Sequence, residues 1–589
     1  MVSITINNMP IRVEEGTTIM EAAESNGISI PHLCYLKEIN EIGACRMCCV
    51  AVDGEKGLVP SCNTAVKDGM IVHTNTKEVR NAAKSNLCMI LSQHDSKCSM
   101  CDRNGTCQLQ ALAREFDIYE NYFPADIPSD HEREWPSEFP LYRDAGRCIK
   151  CMRCVQVCKK VQALSIWDLT GTGGKARIDV NQSKANSITE SDCSICGQCI
   201  THCPVGALRE RKDANLVQAA IDNPEITTIV QIAPAVRTAW GESQGVSPEV
   251  ATVNKLAGAL KAMGFDYVFD TSFSADMTIM EEGTEFLERL QAGDLKKYPM
   301  FTSCCPGWVR FIKSQYPELV SQLSTSKSPQ QMFGAIIKTY YANKLGIPAE
   351  KICSVSVMPC VSKKSECDIP VMNDSGFKDV DYVLTTREVV SLLAANHITA
   401  ESAPEAPFDK IMGSYTGAGV IFGATGGVME AALRSAYYFV TGELPPVDAF
   451  NFVDAGSSRP WQEAEFDVAG TKLRIAVASG LGNADKLCQA ILSDQVNYDF
   501  VEIMACPGGC AGGGGQPYRL EDIEPAATRG KVLYDIDKKM DLRYSHENPD
   551  IIALYDEFLE KPMGEKSEHL LHTDHFAWKM PTEKARSEN

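Results

Sequence analysis

Thr302-Ser-Cys-Cys-Pro-Gly-Trp308 decides how the larger part of this chain is read, together with Met358-Pro-Cys-Val-Ser-Lys363 and Glu502-Ile-Met-Ala-Cys-Pro-Gly-Gly-Cys510. Strand-like apolar runs lead into the second and third of these motifs. In α/β folds, sites collect beyond such strand ends. The 589 residues hold 25 cysteines, most of them in tight, ordered clusters. A chain that starts with an alternating, strand-like Met-Val-Ser-Ile-Thr-Ile, without a basic region or an apolar signal stretch, is expected in the cytoplasm. Reducing compartments keep thiols free for ligation, so the clusters point to metal, and to iron-sulfur spacing in particular, rather than to disulfides.

Working outward, residues 227–232, 267–269, 352–357, 382–384, 473–478 and 500–504 read as strands separated by helical stretches. They predict an α/β domain over 213–589. On a helix around Met280-Glu-Glu-Gly-Thr-Glu-Phe-Leu-Glu-Arg289, Glu282, Glu285 and Arg289 share one face. Taken alone that face is solvated and salt-bridged. The runs 512–515 and 423–427 lack the fingerprints of phosphate or dinucleotide loops and suggest close backbone approach to a cofactor.

Upstream, Cys148-x2-Cys151-x2-Cys154-x3-Cys158 and Cys193-x2-Cys196-x2-Cys199-x3-Cys203-Pro204 match the bacterial two-cluster ferredoxin, in which each fourth cysteine serves the other cluster. That match pairs Cys148, Cys151 and Cys154 with Cys203, and Cys193, Cys196 and Cys199 with Cys158, in a module over 138–212. Two zinc ribbons are the competing reading. His94-x3-Cys98-x2-Cys101-x5-Cys107 follows a helix expected over 79–93 and reads as a 4Fe-4S site with one imidazole, in a module over 79–123. A structural zinc site would use the same residue types. Residues 1–78 read as a small sheet with one helix at 18–25, Thr18 and Glu21 forming a capping box. Cys34, Cys45, Cys48 and Cys62 then form a variant of the plant-type 2Fe-2S pattern, whose centres sit near roughly −400 mV. The wording Gly43-Ala-Cys-Arg-Met-Cys48 is similar to the ferredoxin-like module of the complex I iron-sulfur subunit and of multimeric hydrogenases. Residues 124–140, rich in Pro, Asp, Glu and Ser, read as a surface connection.

The net charge of −20 disfavours nucleic acid as a partner. No apolar run reaches the length a membrane helix requires. Cys49, Cys88, Cys353, Cys367 and Cys488 read as isolated buried thiols.

In order, spacing and wording the three opening motifs resemble those of the FeFe hydrogenases, and the similarity extends over essentially the whole chain. The resemblance implies a multidomain α+β and α/β protein. Its parts would be a β-grasp 2Fe-2S module, a small His/Cys3 4Fe-4S module, a two-cluster 4Fe-4S ferredoxin module and a large hydrogenase domain carrying the H-cluster. It implies Cys305, Cys360, Cys506 and Cys510 as ligands of a 4Fe-4S cubane, Cys510 also bridging to a diiron unit with carbon monoxide, cyanide and azadithiolate ligands. Cys304 becomes a proton relay, continued by Glu282, Ser324, Glu285 and Arg289. Lys363, Met358, Met504, Ala233, Pro234, Gln330 and Phe422 become the wall around the diiron unit, with Ala235 standing where relatives often carry serine. The expected activity is reversible interconversion of H2 with protons and electrons. Electrons would be exchanged with ferredoxin or with flavin-containing, NAD(P)-linked subunits. A hydrogenase-like sensor or assembly protein, or a purely electron-carrying subunit, remains the alternative.

Overall fold

The computed structural model describes residues 1–120, 123, 135–446, 448–450, 459–468, 470–518 and 525–583. At the N-terminus, strands β1 (Val2–Ile6) and β2 (Met9–Val13) form a hairpin. Asn7 and Asn8 close it with φ of 50° and 68°, the left-handed geometry that asparagine tolerates in such turns. The helix Ile19–Glu24 follows, with both hydrogen bonds of the Thr18–Glu21 capping box formed. Strands β3 (Cys49–Val52), β4 (Val59–Pro60) and β5 (Ile71–His73) complete a sheet of order β2-β1-β5-β3-β4. Ile4, Ile6, Ile19, Val50 and Val72 fill its core. Cys49 is buried at the start of β3, opposite Pro60.

The helix Lys77–Leu91, N-capped by Thr76, leads to the His94 loop. The connection expected over 124–140 falls largely on 124–134, outside the described residues. Beyond it, Trp135 stacks on Trp167 with ring centroids 5.9 Å apart. Two ribbons frame the next module: β6 (Leu141–Arg143) pairs with β9 (Leu208–Glu210), and β7 (Trp167–Thr170) with β8 (Arg177–Val180). Its apolar residues share one continuous core with Trp308, Phe311, Leu481 and Ile503 of the following domain.

That domain is built on two four-stranded sheets. One has the order β11-β10-β13-β14, from β10 (Thr227–Ile232), β11 (Tyr267–Asp270), β13 (Ile352–Met358) and β14 (Tyr382–Thr385), all parallel. The other has the order β12-β17-β16-β15, where β12 (Met300–Phe301), β16 (Thr471–Ser479) and β17 (Phe500–Met504) are parallel and β15 (Gln462–Val468) is an antiparallel edge. All six strands expected from the sequence are present. β13 and β17 are buried along their whole length, as parallel strands between layers should be, although β13 carries Ser354 and Ser356 and β17 carries Glu502. The helix Ser272–Ala292 follows β11, and the segment 545–571 packs against it. No helix among the described residues is long and apolar enough to cross a membrane.

Candidate active site and its electron and proton connections

Four strand ends converge on one cavity. Beyond β10 come Ala233, Pro234 and Ala235; beyond β12, Cys304 and Cys305; at β13, Met358, Pro359 and Cys360; and at β17, Met504 and Cys510. Gln330, Lys363, Phe422 and Gly423 close the cavity, which holds about 610 Å³ of atom-free space. Every wall residue expected from the sequence lines it. Thr271, Ala275, Pro306 and Pro329 line it as well and carried no sequence signal.

Cys305, Cys360, Cys506 and Cys510 are fully desolvated, which pushes each thiol's pKa upward, and Cys360, Cys506 and Cys510 also feel the charge of neighbouring cysteines. Thiols so placed stay protonated unless a metal displaces the proton, so the set suits a cluster and little else. The Cys305 sulfur precedes the helix Pro306–Gln315 and accepts a hydrogen bond from the Ala505 amide at 3.4 Å. Lys363 is buried, held by Glu366 at 3.0 Å and by the Cys304 carbonyl at 3.1 Å. A further contact to the second Glu366 oxygen at 3.3 Å fixes the ammonium at the cavity wall. The remaining wall of Met358, Met504, Phe422, alanines and prolines keeps water out.

The glycine run also brings backbone segments together. A Cβ on Gly513 would meet the Pro359 carbonyl at 2.1 Å, on Gly514 the Cys196 carbonyl at 2.2 Å, and on Gly515 the Cys360 amide at 2.7 Å. These glycines let three cysteine loops touch backbone to backbone. Arg387 locks the arrangement, bonding the Gly514 carbonyl at 2.8 Å and the Glu210 carboxylate at 2.7 Å. Nothing in the local sequence around Arg387 signals this.

The accessory cysteines lie in line with the cavity. Cys148, Cys151, Cys154 and Cys203 line a second cavity of about 430 Å³ of atom-free space. Cys158 instead neighbours Cys193 and Cys199. The crossed grouping read from the ferredoxin spacing is therefore the spatial one. Cys196 in turn lies beside Cys506, whose sulfur is 3.7 Å from the Cys196 carbonyl. In the N-terminal module the Cys34 and Cys45 thiols share a hydrogen bond, as do Cys48 and Cys62, which lowers the pKa of Cys45 and Cys48 and raises that of their partners. Asn40, fully buried, joins this module to the next by donating to the Cys34 carbonyl at 2.7 Å and the Cys151 carbonyl at 2.9 Å. Among the described residues His94 Nδ1 is buried without a hydrogen-bond partner, and burial lowers its pKa, so a neutral imidazole is available to a metal. Cys101 abuts Gly206, where a Cβ would meet its sulfur at 2.3 Å, and Cys101 and Cys107 feel each other's charge. Cys98 begins the short turn Cys98–Met100.

On the other side of the cavity, Cys304 is buried, with a pKa well above the usual thiol range through desolvation and the nearby Glu282. Glu282 is fully buried and pushed up to about 8 by desolvation and by Glu285. Among the described residues neither of its oxygens has a hydrogen-bond partner. Ser324 and the Ser303 backbone lie near enough to lower its pKa but beyond hydrogen-bond reach. From Ser324 onward the expected order is joined directly: Ser324 donates to Glu285 at 2.7 Å, and Arg289 pairs with Glu285 at 2.6 Å. Of the five residues predicted for proton transfer, the last three are bonded, and Cys304 and Glu282 are adjacent but unbonded.

This is the site of an iron-sulfur oxidoreductase, built at the strand ends of two largely parallel sheets. Residues 226–514 match the C-terminal domain of the iron only hydrogenase large subunit, and 523–578 match the iron hydrogenase small subunit. Further matches are a 2Fe-2S cluster binding domain over 1–77, the NADH-ubiquinone oxidoreductase-G iron-sulfur binding region over 84–121 and a 4Fe-4S dicluster domain over 147–207. The NADP-reducing hydrogenase subunit HndD of Solidesulfovibrio fructosivorans is 46% identical over 98% of this chain and 99% of its own. Iron hydrogenase 1 of Clostridium pasteurianum is 38% identical over 97% and 99%. The solved apo FeFe-hydrogenase of Chlamydomonas reinhardtii superposes with a TM-score of 0.56 at 39% identity, covering 63% of this chain and 99% of that one. The chain belongs to the iron-only (FeFe) hydrogenase family, oxidoreductases acting on H2, and carries accessory 2Fe-2S and 4Fe-4S domains ahead of its H-cluster domain.

Proposed function

We propose that this chain is the hydrogen-activating subunit of a cytoplasmic, NAD(P)-linked hydrogenase. Its domains would be 1–78, 79–123, 138–212 and 213–589, with one 2Fe-2S cluster, three accessory 4Fe-4S clusters and an H-cluster. The observation that carries the reading is the single cavity in which Cys305, Cys360 and Cys510 face Cys304 and Lys363. Cys305, Cys360, Cys506 and Cys510 would hold the H-cluster, Cys510 serving both its cubane and its diiron unit. When bound, the H-cluster supplies reversible heterolysis of H2.

The chain's own residues do the rest. Cys304 passes a proton between the cavity and Glu282, a thiol being both donor and acceptor. Glu282, poised at about 8, is near enough to neutrality to take and return it. Glu282 reaches Ser324 through a small side-chain movement or one bridging water, since no direct hydrogen bond joins them. Ser324 and Glu285 carry the proton outward beside Arg289. Electrons take the opposite side. They enter through the Cys34 and His94 modules, pass the Cys148 group and then the Cys193 group, and arrive at Cys506. The accessory arrangement and the similarity to HndD, named as an NADP-reducing hydrogenase subunit, support flavin-containing NAD(P)-linked partners over free ferredoxin.

The test is infrared spectroscopy of the matured protein together with NADPH-dependent H2 evolution by the native complex. Carbon monoxide and cyanide bands with NADPH-linked turnover are expected. Absence of the bands would leave an electron-carrying subunit, and bands without turnover a sensor. If only reduced ferredoxin drives turnover, the partner assignment fails while the site stands.

A further inference from the structure

We propose that the proton path forks at Glu285 and has a second outlet, through Thr325 to His572, into the cleft beside the C-terminal segment. The proposal rests on the proton-path reading above and extends it.

Glu285 is the branch point because its two oxygens serve different partners. One accepts from Ser324 Oγ at 2.7 Å. The other pairs with Arg289 and also accepts from the Thr325 hydroxyl at 3.2 Å. The same hydroxyl lies 2.8 Å from His572 Nδ1, and His572 Nε2 lies 3.1 Å from a Glu281 oxygen. Carboxylate, imidazole and hydroxyl thus stand in the order that orients a base in hydrolytic triads, here with a second carboxylate at the far end. Glu281 is fully buried and already accepts from the Tyr555 hydroxyl and, at 2.8 Å, the Met563 amide. It is therefore set as an acceptor, which keeps the hydrogen on Nε2 and leaves Nδ1 free to receive one.

Arg289 cannot perform the last step itself, because a guanidinium does not release its proton at neutral pH. It can only order water. An imidazole can accept and release, and His572 lines an open cleft of about 1220 Å³ of atom-free space together with Arg289, Leu323, Thr325, His569 and Asp574. Glu568, Asp374 and His575 complete the charged rim, His575 bonding the Ser324 carbonyl at 2.8 Å. During H2 oxidation the protonated Glu285 gives its proton to the Thr325 oxygen as the Thr325 hydroxyl proton moves to His572 Nδ1. One O–H bond breaks at Glu285, one N–H bond forms at His572, and the threonine ends as it began. The imidazolium is stabilised by Glu281 until the cleft takes the proton. Proton reduction runs the same steps backwards.

A purely structural role would place His572 as a clasp for the C-terminal segment. That clasp is already made by backbone: Lys327 N bonds the Leu571 carbonyl at 2.7 Å and Thr573 N the Thr325 carbonyl at 2.8 Å. His572→Gln should therefore fold.

The test uses the matured holoenzyme with Glu282→Gln, Arg289→Ala, His572→Gln, Thr325→Val, Thr325→Ser and the Arg289→Ala/His572→Gln pair. Glu282→Gln should lose about 100-fold, the usual size of a lost acid–base step. Two parallel outlets predict that Arg289→Ala and His572→Gln each cost only about two-fold while the pair approaches the Glu282→Gln loss. Arg289→Ala should gain an imidazole-like pH dependence that the pair lacks. Thr325→Val should mimic His572→Gln and Thr325→Ser should restore activity. In protein without the diiron unit, Thr325→Val should shift the Glu285 carboxylate infrared band. If Glu282→Gln is impaired yet His572→Gln changes neither rate nor pH profile in either background, the fork is wrong and the path stands. If Glu282→Gln retains activity, the path itself is wrong.

Discussion

Glu282 is where burial and function meet in a single side chain. It holds its proton to about pH 8 in the fold, whereas a free glutamate releases it near 4.5. Between those values the unfolded chain binds fewer protons than the folded one, so stability falls as pH rises through the window and levels off above it. Glu282→Gln keeps the neutral shape and removes this proton uptake. Its thermal midpoint should therefore fall less steeply than wild type between pH 4.5 and about 8. A slope equal to that of wild type would mean that Glu282 is ionised in the fold. Cys304→Ala belongs beside it: turnover should drop by about 100-fold or more while iron content and infrared bands stay unchanged, because the thiol moves protons and holds no metal. Parallel assays of iron, infrared bands and H2 evolution check this.

One helix, Ser272–Ala292, organises two jobs on two faces. Glu282, Glu285 and Arg289 at i, i+3 and i+7 turn toward the candidate site, and that much was legible from helical spacing. Asp276 and Glu281 turn elsewhere and hold a segment more than 250 residues later in the chain. Asp276 accepts from Thr416 N, Thr416 Oγ1, Ser545 Oγ and Asn548 Nδ2 at 3.0, 2.6, 2.7 and 2.9 Å. This was not legible, since no local pattern marks which buried carboxylate will meet which distant hydroxyl. The cysteine ligand sets were legible for the opposite reason: a cluster takes most of its ligands from a few neighbouring residues, so geometry is written into spacing. The glycines at 512–515 show the intermediate case, visible as a signal of close backbone approach while the loops they bring together were not legible. Asp276→Ala strands four buried donors, and at about 1–3 kcal/mol for each unsatisfied group, with incomplete additivity, it should cost about 3 kcal/mol or more. A lowered thermal midpoint with early proteolysis within 545–571 is the expected result; cleavage elsewhere first would place the anchor elsewhere.

Across the whole molecule, the proposed mechanism brings electrons and protons to the cavity by separate sets of residues, and the electron route it assigns depends on contacts between modules. The dicluster module is fused to the catalytic domain by a shared apolar core and by the Arg387–Glu210 pair. The N-terminal module joins the same core through Leu33 and Met47 and adds polar contacts, Asn40 and the Arg153–Tyr35 bond at 2.8 Å among them. Asn40 is the more telling because it touches the backbone of Cys34 on one side and of Cys151 on the other. Asn40→Leu keeps the size and removes both donors, leaving two carbonyls buried and unpaired, at a cost of about 1–3 kcal/mol for each. The loss falls on the junction and not on either cluster's ligands. The 2Fe-2S spectrum and the infrared bands of the loaded site should therefore persist, while electrons delivered through the N-terminal module reach the cavity more slowly. Rapid-mixing spectroscopy with NADPH and the native partner subunits would follow 2Fe-2S reduction and H2 release in one experiment. Prompt 2Fe-2S reduction with delayed H2 release is the result that a broken junction predicts. Unchanged H2 release would mean that electrons bypass the Cys34–Cys151 contact and enter through the His94 module alone.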